Sequence, residues 1–316
     1  MKNLVVFLFS LFAIFTAHQV FAQVDFTAMD IAADIGDSRD SITTDFNGDT
    51  FQDIYVANSG NTQNKLWIND GVGNFTANDI AGDLGNSFGA TTADFNGDTF
   101  PDIYVANNAG EQNKLWINDG AGNFTANDIA GDIAYSEGAL ITDLNEDTFL
   151  DIYVANTGVQ NKLWINDGAG NFTANDIAAD VRGTDAVSAD FDDDDVPDLY
   201  VTVIGSQNKL WINDGAGNFT ADNIAIEEED NSSSTVSADF NGDNASDIYV
   251  ANISSQQNRL FINNLVIEDG DDSEEETEIR SRSRRRSSHR TFTCNDPRAK
   301  NYDRFGAHWQ SLCLYK

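Results

Sequence analysis

The chain has 316 residues, of which 52 are Asp or Glu and 18 are Lys or Arg, for a formal net charge of −34. Phosphate contacts and attraction to anionic lipid both need the opposite balance, which excludes a bare nucleic-acid binder and a protein held on an acidic membrane surface. With 22% charged and 41% hydrophobic residues, the chain is also too apolar to be a simple acidic disordered polymer.

Residues 1–22 have the form of a secretory signal peptide. Lys2 supplies the positive start, residues 4–15 a short apolar run, and Val20-Phe21-Ala22 a cleavage site before Gln23. The run is short for a membrane span, and no other segment reads as a bilayer-crossing helix. The expected mature protein is secreted, acting outside the cell or at its surface.

Residues 23–264 are built from a repeat and hold 42 acids against 7 bases, a net charge of −35. Asn-Lys-Leu-Trp-Ile-Asn-Asp-Gly begins at Asn64, Asn113, Asn161 and Asn208, with a degraded fifth copy at Asn258. Asn-Phe-Thr-Ala begins at Asn74, Asn123, Asn171 and Asn218, and an acidic block begins at Asp45, Asp94, Asp143, Asp190 and Asp239. Each unit holds four short apolar runs rich in Ile, Val, Tyr, Phe, Trp and Thr. In the second unit they are 89–95, 103–106, 114–118 and 123–130, with room for a single helical turn within 125–134. Four strands in a unit of about 48 residues is the arithmetic of a β-propeller blade. The fold expected is all-β, a five-bladed propeller. Residues 25–32 match the last strand of the later units, and the fifth unit lacks that strand. The N-terminal strand is therefore expected to complete the last blade and close the ring. The rival arrangement is an open array, or part of a larger ring completed by a second chain.

Each unit carries Asp-x-Asn-x-Asp-x-x-x-Asp or a close variant. The sets are Asp45, Asn47, Asp49, Asp53; Asp94, Asn96, Asp98, Asp102; Asp143, Asn145, Asp147, Asp151; Asp190, Asp192, Asp194, Asp198; and Asp239, Asn241, Asp243, Asp247. Side-chain oxygens at positions 1, 3, 5 and 9 converge when such a loop curls tightly. The position-7 carbonyls of Phe51, Phe100, Phe149, Val196 and Ala245 add a further donor. Hard oxygen ligands without nitrogen or sulfur select Ca²⁺, so about five calcium sites are expected. Position 12 is Val56 rather than Glu in the first loop, which separates these loops from EF-hands. Asp and Asn also form turns without any metal, but a turn does not need several carboxylates within nine residues. Gly48, Gly97 and Gly242 ease the turn. Glu146 and Asp193 stand at that position in loops three and four, which are expected to turn differently or bind more weakly.

Trp67, Trp116, Trp164 and Trp211 share one strand position, with Phe261 in the fifth unit. Such a ring serves either inter-blade core, which is the commoner use, or sugar stacking. Lys65, Lys114, Lys162, Lys209 and Arg259 also recur and are candidates to pair with neighbouring acids. The body contains no His and no Cys, and no Gly-rich phosphate loop opens a helix. The expectation is therefore a non-enzymatic adhesion or recognition module. The alternatives are a calcium-dependent lectin and, further off, a carboxylate-based polysaccharide-active enzyme.

Beyond the body, residues 265–290 read as a charged linker, acidic over 268–278 and Arg/Ser-rich over 280–290. Residues 291–316 form a small module with Cys294 and Cys313, which are expected to pair with each other in an oxidising compartment.

The Asp/Asn ladder repeated five times, with Ser87-Phe88-Gly89-Ala90 before its second copy, resembles the FG-GAP/VCBS repeat family, whose best-known relative is the integrin α-subunit head. The resemblance covers about residues 25–264. It implies a β-propeller with Ca²⁺ in the hairpin loop between the first two strands of each blade, held at the positions named above. It also implies extracellular adhesion or recognition of a protein or glycan. Residues 294–315 resemble a Cys-x-Asp-Pro-x-Ala-x-Asn-Tyr module of secreted and surface proteins, matched at Cys294, Asp296, Pro297, Ala299, Asn301, Tyr302, Cys313 and Tyr315. That likeness supports the Cys294–Cys313 disulfide and says little about activity; attachment to a cell surface is a role that a module tethered in this way could serve.

Overall fold

A computed structural model describes residues 27–31, 34–222 and 231–264. The expected signal peptide, charged linker, C-terminal module and Cys294–Cys313 pair lie outside these residues. The chain divides into two units, Met1–Ile35 and Gly36–Lys316. In the first unit, residues 27–31 carry no strand, and Asp34 N–H donates to the Ile31 carbonyl at 3.2 Å.

The second unit is a succession of antiparallel sheets. Sheet one contains Ser38–Thr44, Asp53–Asn58, Lys65–Asn69 and Phe75–Ala77. Sheet two contains Ser87–Ala93, Asp102–Asn107, Lys114–Asn118 and Phe124–Ala126. Sheets three and four repeat this order from Ser136–Thr142 to Phe172–Ala174 and from Gly183–Ala189 to Phe219–Asp222. The fifth has three strands among the described residues: Ser232–Ala238, Asp247–Asn252 and Arg259–Phe261. The all-β, four-stranded repeat is thus as the sequence implies. The single helical turn for which 125–134 left room does not form. Strand Phe124–Ala126 is followed there by a tight turn, in which Asp132 N–H reaches the Ile129 carbonyl.

The first strands of successive sheets pack side by side, from Ser38–Thr44 through to Ser232–Ala238. In each of them the register slips by one residue near its start, between Ser87 and Gly89 for example. Where two of these strands approach most closely there is no room for a side chain. A Cβ on Gly89 would lie 3.0 Å from the Gly138 Cα.

The second strands, Asp-Ile-Tyr-Val-Ala-Asn in most units, are buried on both faces because each sheet is sandwiched between neighbours. Alternate side chains go to opposite partners. Phe95, Tyr104, Leu115 and Ile129 of sheet two meet Ile152, Val154 and Trp164 of sheet three, and the same layer recurs between sheets one and two and between three and four. Trp67, Trp116, Trp164 and Trp211 are 4–5% exposed. They are core, and a solvent-facing sugar platform at these positions is ruled out. Lys65, Lys114 and Lys162 pair with Asp79, Asp128 and Asp176 at 2.6–2.8 Å. These half-buried pairs tie the third strand to the segment after the fourth, each for less than about 1 kcal/mol.

Two features were not anticipated. Short ribbons, Thr62–Gln63 with Leu84–Gly85 and Glu111–Gln112 with Ile133–Ala134, join neighbouring units at the end opposite the acidic loops. Beneath them lies a buried polar knot. Asp132 accepts from the Tyr104 hydroxyl and from Asn113 Nδ2, and Asn113 also reaches Ser136 Oγ. Asp83 repeats the arrangement with Tyr55, Asn64 and Ser87, Asp180 accepts from the Tyr153 hydroxyl, and both additionally accept the indole N–H of the next sheet, Trp116 and Trp211 respectively, each at 3.1 Å.

Candidate metal centre

The acidic segments are the connections between first and second strands, all at one end of the sheets. Loop one shows how the sequence makes its own curl. Asp45 Oδ1 accepts from the N–H groups of Gly48 and Asp49, and Oδ2 from that of Thr50. Asn47 Oδ1 accepts from Asp49 N–H, and Asp49 Oδ1 from Phe51 N–H. These are turns in which a short polar side chain substitutes for backbone. The result is a nine-residue arc with Asp45, Asn47 and Asp49 on its concave side and the Phe51 backbone closing it. Loops two and five repeat the full set around Asp94, Asn96, Asp98 and Phe100 and around Asp239, Asn241, Asp243 and Ala245. Loops three and four keep its core around Asp143, Asn145, Asp147 and Phe149 and around Asp190, Asp194 and Val196.

Two residues per loop adopt positive φ. They are Gly48 and Thr50 in the first loop, and Glu146 and Thr148 (58° and 79°) and Asp193 and Asp195 (64° and 68°) in the third and fourth. Loops three and four therefore turn as the others do, contrary to the expectation from their missing glycine. The side chains are tolerated under strain, which costs about 1 kcal/mol at a residue with a Cβ. Glu146→Gly is accordingly expected to raise stability by up to about 1 kcal/mol, read as a shift in the urea midpoint.

Position nine is different from the rest. Asp53, Asp102, Asp151, Asp198 and Asp247 are fully buried. Asp53 Oδ2 accepts from Phe46 N–H and Oδ1 from Asn69 N–H, so it staples the loop to the third strand. Asp102, Asp151, Asp198 and Asp247 do the same. Each oxygen retains a second lone pair for a cation.

Among the described residues, Asp190, Asp192 and Asp194 form a cluster of three carboxylates able to share an ion. One carboxylate oxygen from each lies within 4.8 Å of those of the other two, and Asp198 lies outside this triplet. In the other loops Asn replaces the middle carboxylate. Burial, followed by the charges of Asp194 and Asp190, pushes Asp192 up to about 6. Burial and then neighbouring carboxylates, against the pull of two backbone N–H groups, raise Asp102 and Asp151 to about 6 and Asp198 to about 7. Carboxyls that resist ionisation for want of positive charge are what a dication site offers before it is filled. The donor set is all oxygen and the curl is already formed, so the residues fit Ca²⁺.

A pH dependence follows. In the folded chain these carboxyls hold protons that the unfolded chain releases near pH 4, so the unfolded state binds fewer protons between about pH 4 and about pH 7. In chelator, stability is expected to fall as pH rises through that window. With millimolar Ca²⁺, which requires the ionised form, the fall should flatten or reverse. Thermal melts at pH 5 and 7.5, with and without the ion, check it.

No curated protein sequence matches the chain. Among solved structures it is similar to an Agrocybe aegerita lectin described as recognising non-reducing terminal N-acetylglucosamine, at 18% identity and a TM-score of 0.46, over 66% of this chain and 60% of that one. It is also similar to the V. cholerae biofilm matrix protein Bap1, at 15% identity and a TM-score of 0.45, over 67% of this chain and 34% of that one. The chain thus spans less than two thirds of either protein. The FG-GAP-like repeat pattern matches residues 45–105, 94–154, 143–201 and 190–250, each match opening on the first aspartate of an acidic loop. These overlapping matches cover well over half of the sequence, and the chain belongs to the FG-GAP-like repeat family.

Proposed function

We propose that this protein is a secreted, non-enzymatic recognition module: a five-bladed propeller, closed by its N-terminal strand, whose acidic loops bind Ca²⁺. The observation that carries the reading is the fivefold recurrence of one oxygen-lined curl at one end of the sheets. In each, positions 1, 3, 5 and 9 and the position-7 carbonyl hold the ion, and the buried position-nine Asp also anchors the loop. Calcium supplies charge neutralisation there, and with it a rigid end to every blade.

Recognition then belongs to the other end. Segments 59–63, 108–112 and 157–160 carry Asn, Gln, Ser and Thr with one acid, Glu111, which is engaged by Asn86 N–H, and Leu84, Ile133, Tyr135 and Val181 are 38–56% exposed beside them. Amides and hydroxyls next to apolar patches suit an uncharged partner, a neutral glycan or a protein surface. This is the feature that favours the lectin reading within the broader one. A glycan array probed in Ca²⁺ buffer tests it. Binding that is lost on Tyr135→Ala and Ile133→Asp supports glycan recognition, and blank arrays leave a protein partner to be sought by cross-linking. Degradation of a polysaccharide by the purified chain would overturn the non-enzymatic assignment.

A further inference from the structure

The dipeptide Asn-Gly occurs three times in the chain, at Asn47-Gly48, Asn96-Gly97 and Asn241-Gly242, each time at positions three and four of an acidic loop. Both residues are needed there. Glycine takes the left-handed turn, at φ 78°, 79° and 86°, with no Cβ to strain. At Gly48 and Gly97 it also makes room for the next sheet, since a Cβ would lie 3.0 Å from the carbonyl oxygens of Gly120 and Gly168. Asparagine supplies a bond that closes the curl, as Asn47 Oδ1 does by accepting from Asp49 N–H.

The pair that the turn demands is also chemically reactive. Asn is a thermolabile residue because its Cγ lies within reach of the next backbone nitrogen, and a following glycine puts no side chain in the way. The glycine nitrogen adds to the Asn Cγ, the Cγ–Nδ2 bond breaks, and ammonia departs with the proton that the glycine nitrogen carried. A cyclic imide remains, and water opens it. Opening at Cγ leaves Asp. Opening at the backbone carbonyl leaves isoaspartate, whose chain runs through the former side chain. Water is the one co-reactant.

In the curl both reacting groups are held off. Gly48 N–H is given to Asp45 Oδ1 at 2.8 Å. Asn47 is fastened at both ends, Oδ1 to Asp49 N–H at 3.0 Å and Nδ2 to Asp49 Oδ2 at 2.9 Å. Loops two and five repeat these bonds at Asn96 and Gly97 and at Asn241 and Gly242. The guard is a surface one. All three glycines and Asn241 are exposed, while Asn47 and Asn96 are partly buried. No described atom lies within 4 Å of where a Gly242 Cβ would sit. The other two loops lack the pair. Loop three has Asn145-Glu146, and loop four has Asp192, one of whose carboxylate oxygens lies within 4.8 Å of one each from Asp190 and Asp194. Loop four therefore shows that the curl accepts a carboxylate at position three.

We propose that Asn47, Asn96 and Asn241 are sites of spontaneous modification, converting to Asp or isoaspartate when their loops stand without an ion. Neutralising a loop keeps its guarding bonds closed. The bare carboxylates of Asp45 and Asp49, and their counterparts in loops two and five, repel one another and loosen it. Conversion to Asp gives these loops the Asp-x-Asp-x-Asp ladder of loop four and one more charge for the ion. Conversion to isoaspartate lengthens the backbone inside the curl and breaks the register of its bonds. The guarding step rests on the calcium reading above, and the reactivity of the three pairs does not.

Peptide mapping by mass spectrometry tests this on the full chain, aged in Ca²⁺, in chelator and in urea, the first two at a temperature where circular dichroism shows the chain folded. Conversion is expected at all three asparagines in urea and in chelator, led in chelator by Asn241, with Asn145 unchanged throughout. Rates in Ca²⁺ should be about tenfold lower, the factor by which free ion at about ten times the dissociation constant depletes the open loop. Glu146→Gly creates a fourth pair, and Asn145 should then convert with the others. No conversion at the three sites in chelator overturns the proposal, as does Asn145 converting as fast as they do in the unaltered chain, or staying inert in Glu146→Gly. Equal rates in Ca²⁺ and chelator, with the ion shown bound by equilibrium dialysis, also overturn it. Equal rates with no ion bound fault the metal reading instead, and conversion confined to the Asn-Gly pairs still supports the three sites.

Discussion

Removing calcium is expected to lower Tm by about 15–25 °C. Extracellular Ca²⁺ modules bind at about 10⁻⁴–10⁻³ M, and free ion at ten times the dissociation constant adds about 1.4 kcal/mol per site. Five sites give roughly 7 kcal/mol, as much as the whole stability of many domains, and each kcal/mol moves Tm by about 2–4 °C at this size. The electrostatics point the same way. Loop four alone brings one carboxylate oxygen each of Asp190, Asp192 and Asp194 within 4.8 Å of one another, with Asp193 and Asp195 between and beside them in sequence. Differential scanning calorimetry with and without EDTA measures the shift. Its dependence on ion concentration should follow mass action, and NaCl at equal ionic strength should not reproduce it.

Asp132→Ala is expected to cost about 4 kcal/mol, the largest effect of any single substitution away from the metal loops. The side chain is 0% exposed and accepts from Tyr104 and Asn113, with Trp164 facing it. Alanine leaves these donors buried without an acceptor, at about 1–3 kcal/mol each, partly relieved if water enters. Burial raises the Asp132 carboxyl above its ordinary range, and burial together with the adjacent Asp132 charge holds the Tyr104 hydroxyl well above its own. Tyr104→Phe removes one donor and retains the ring, so about 1–2 kcal/mol is expected there. Urea unfolding in saturating Ca²⁺ separates the two. Equal losses would mean that the Tyr104–Asp132 bond accounts for the whole effect and that the other donors to Asp132 contribute nothing.

Much of this architecture is legible in the sequence because it repeats. The Asp-Ile-Tyr-Val-Ala-Asn and Asn-Lys-Leu-Trp-Ile-Asn runs are apolar at consecutive positions, and burial on both faces explains that directly. The acidic loops follow from Asp and Asn at odd positions, and the structure shows why the spacing matters. The same oxygens that are candidates for the metal first bind the loop's own N–H groups. What escaped the sequence reading depends on contacts between units. Asp83, Asp132 and Asp180 look like ordinary surface acids after a turn, and nothing local says that a Tyr, an Asn and a Trp converge on them. Their recurrence at a fixed distance before the next first strand was the available signal. The ribbon pairs, such as Gln112 with Ile133, are two residues long and too short to leave a pattern. Glu146 and Asp193 misled in the opposite direction. Loss of glycine suggested a different turn, but the surrounding Asx bonds hold the left-handed conformation regardless of the side chain.

The most direct test of the central claim is a count of bound calcium on the purified protein by native mass spectrometry, calibrated by equilibrium dialysis. Five ions per chain at millimolar Ca²⁺ are expected, falling to four in Asp190→Ala/Asp194→Ala with the other loops unaffected. A chain that retains its folded charge-state distribution and takes up no Ca²⁺ at that concentration would contradict the account.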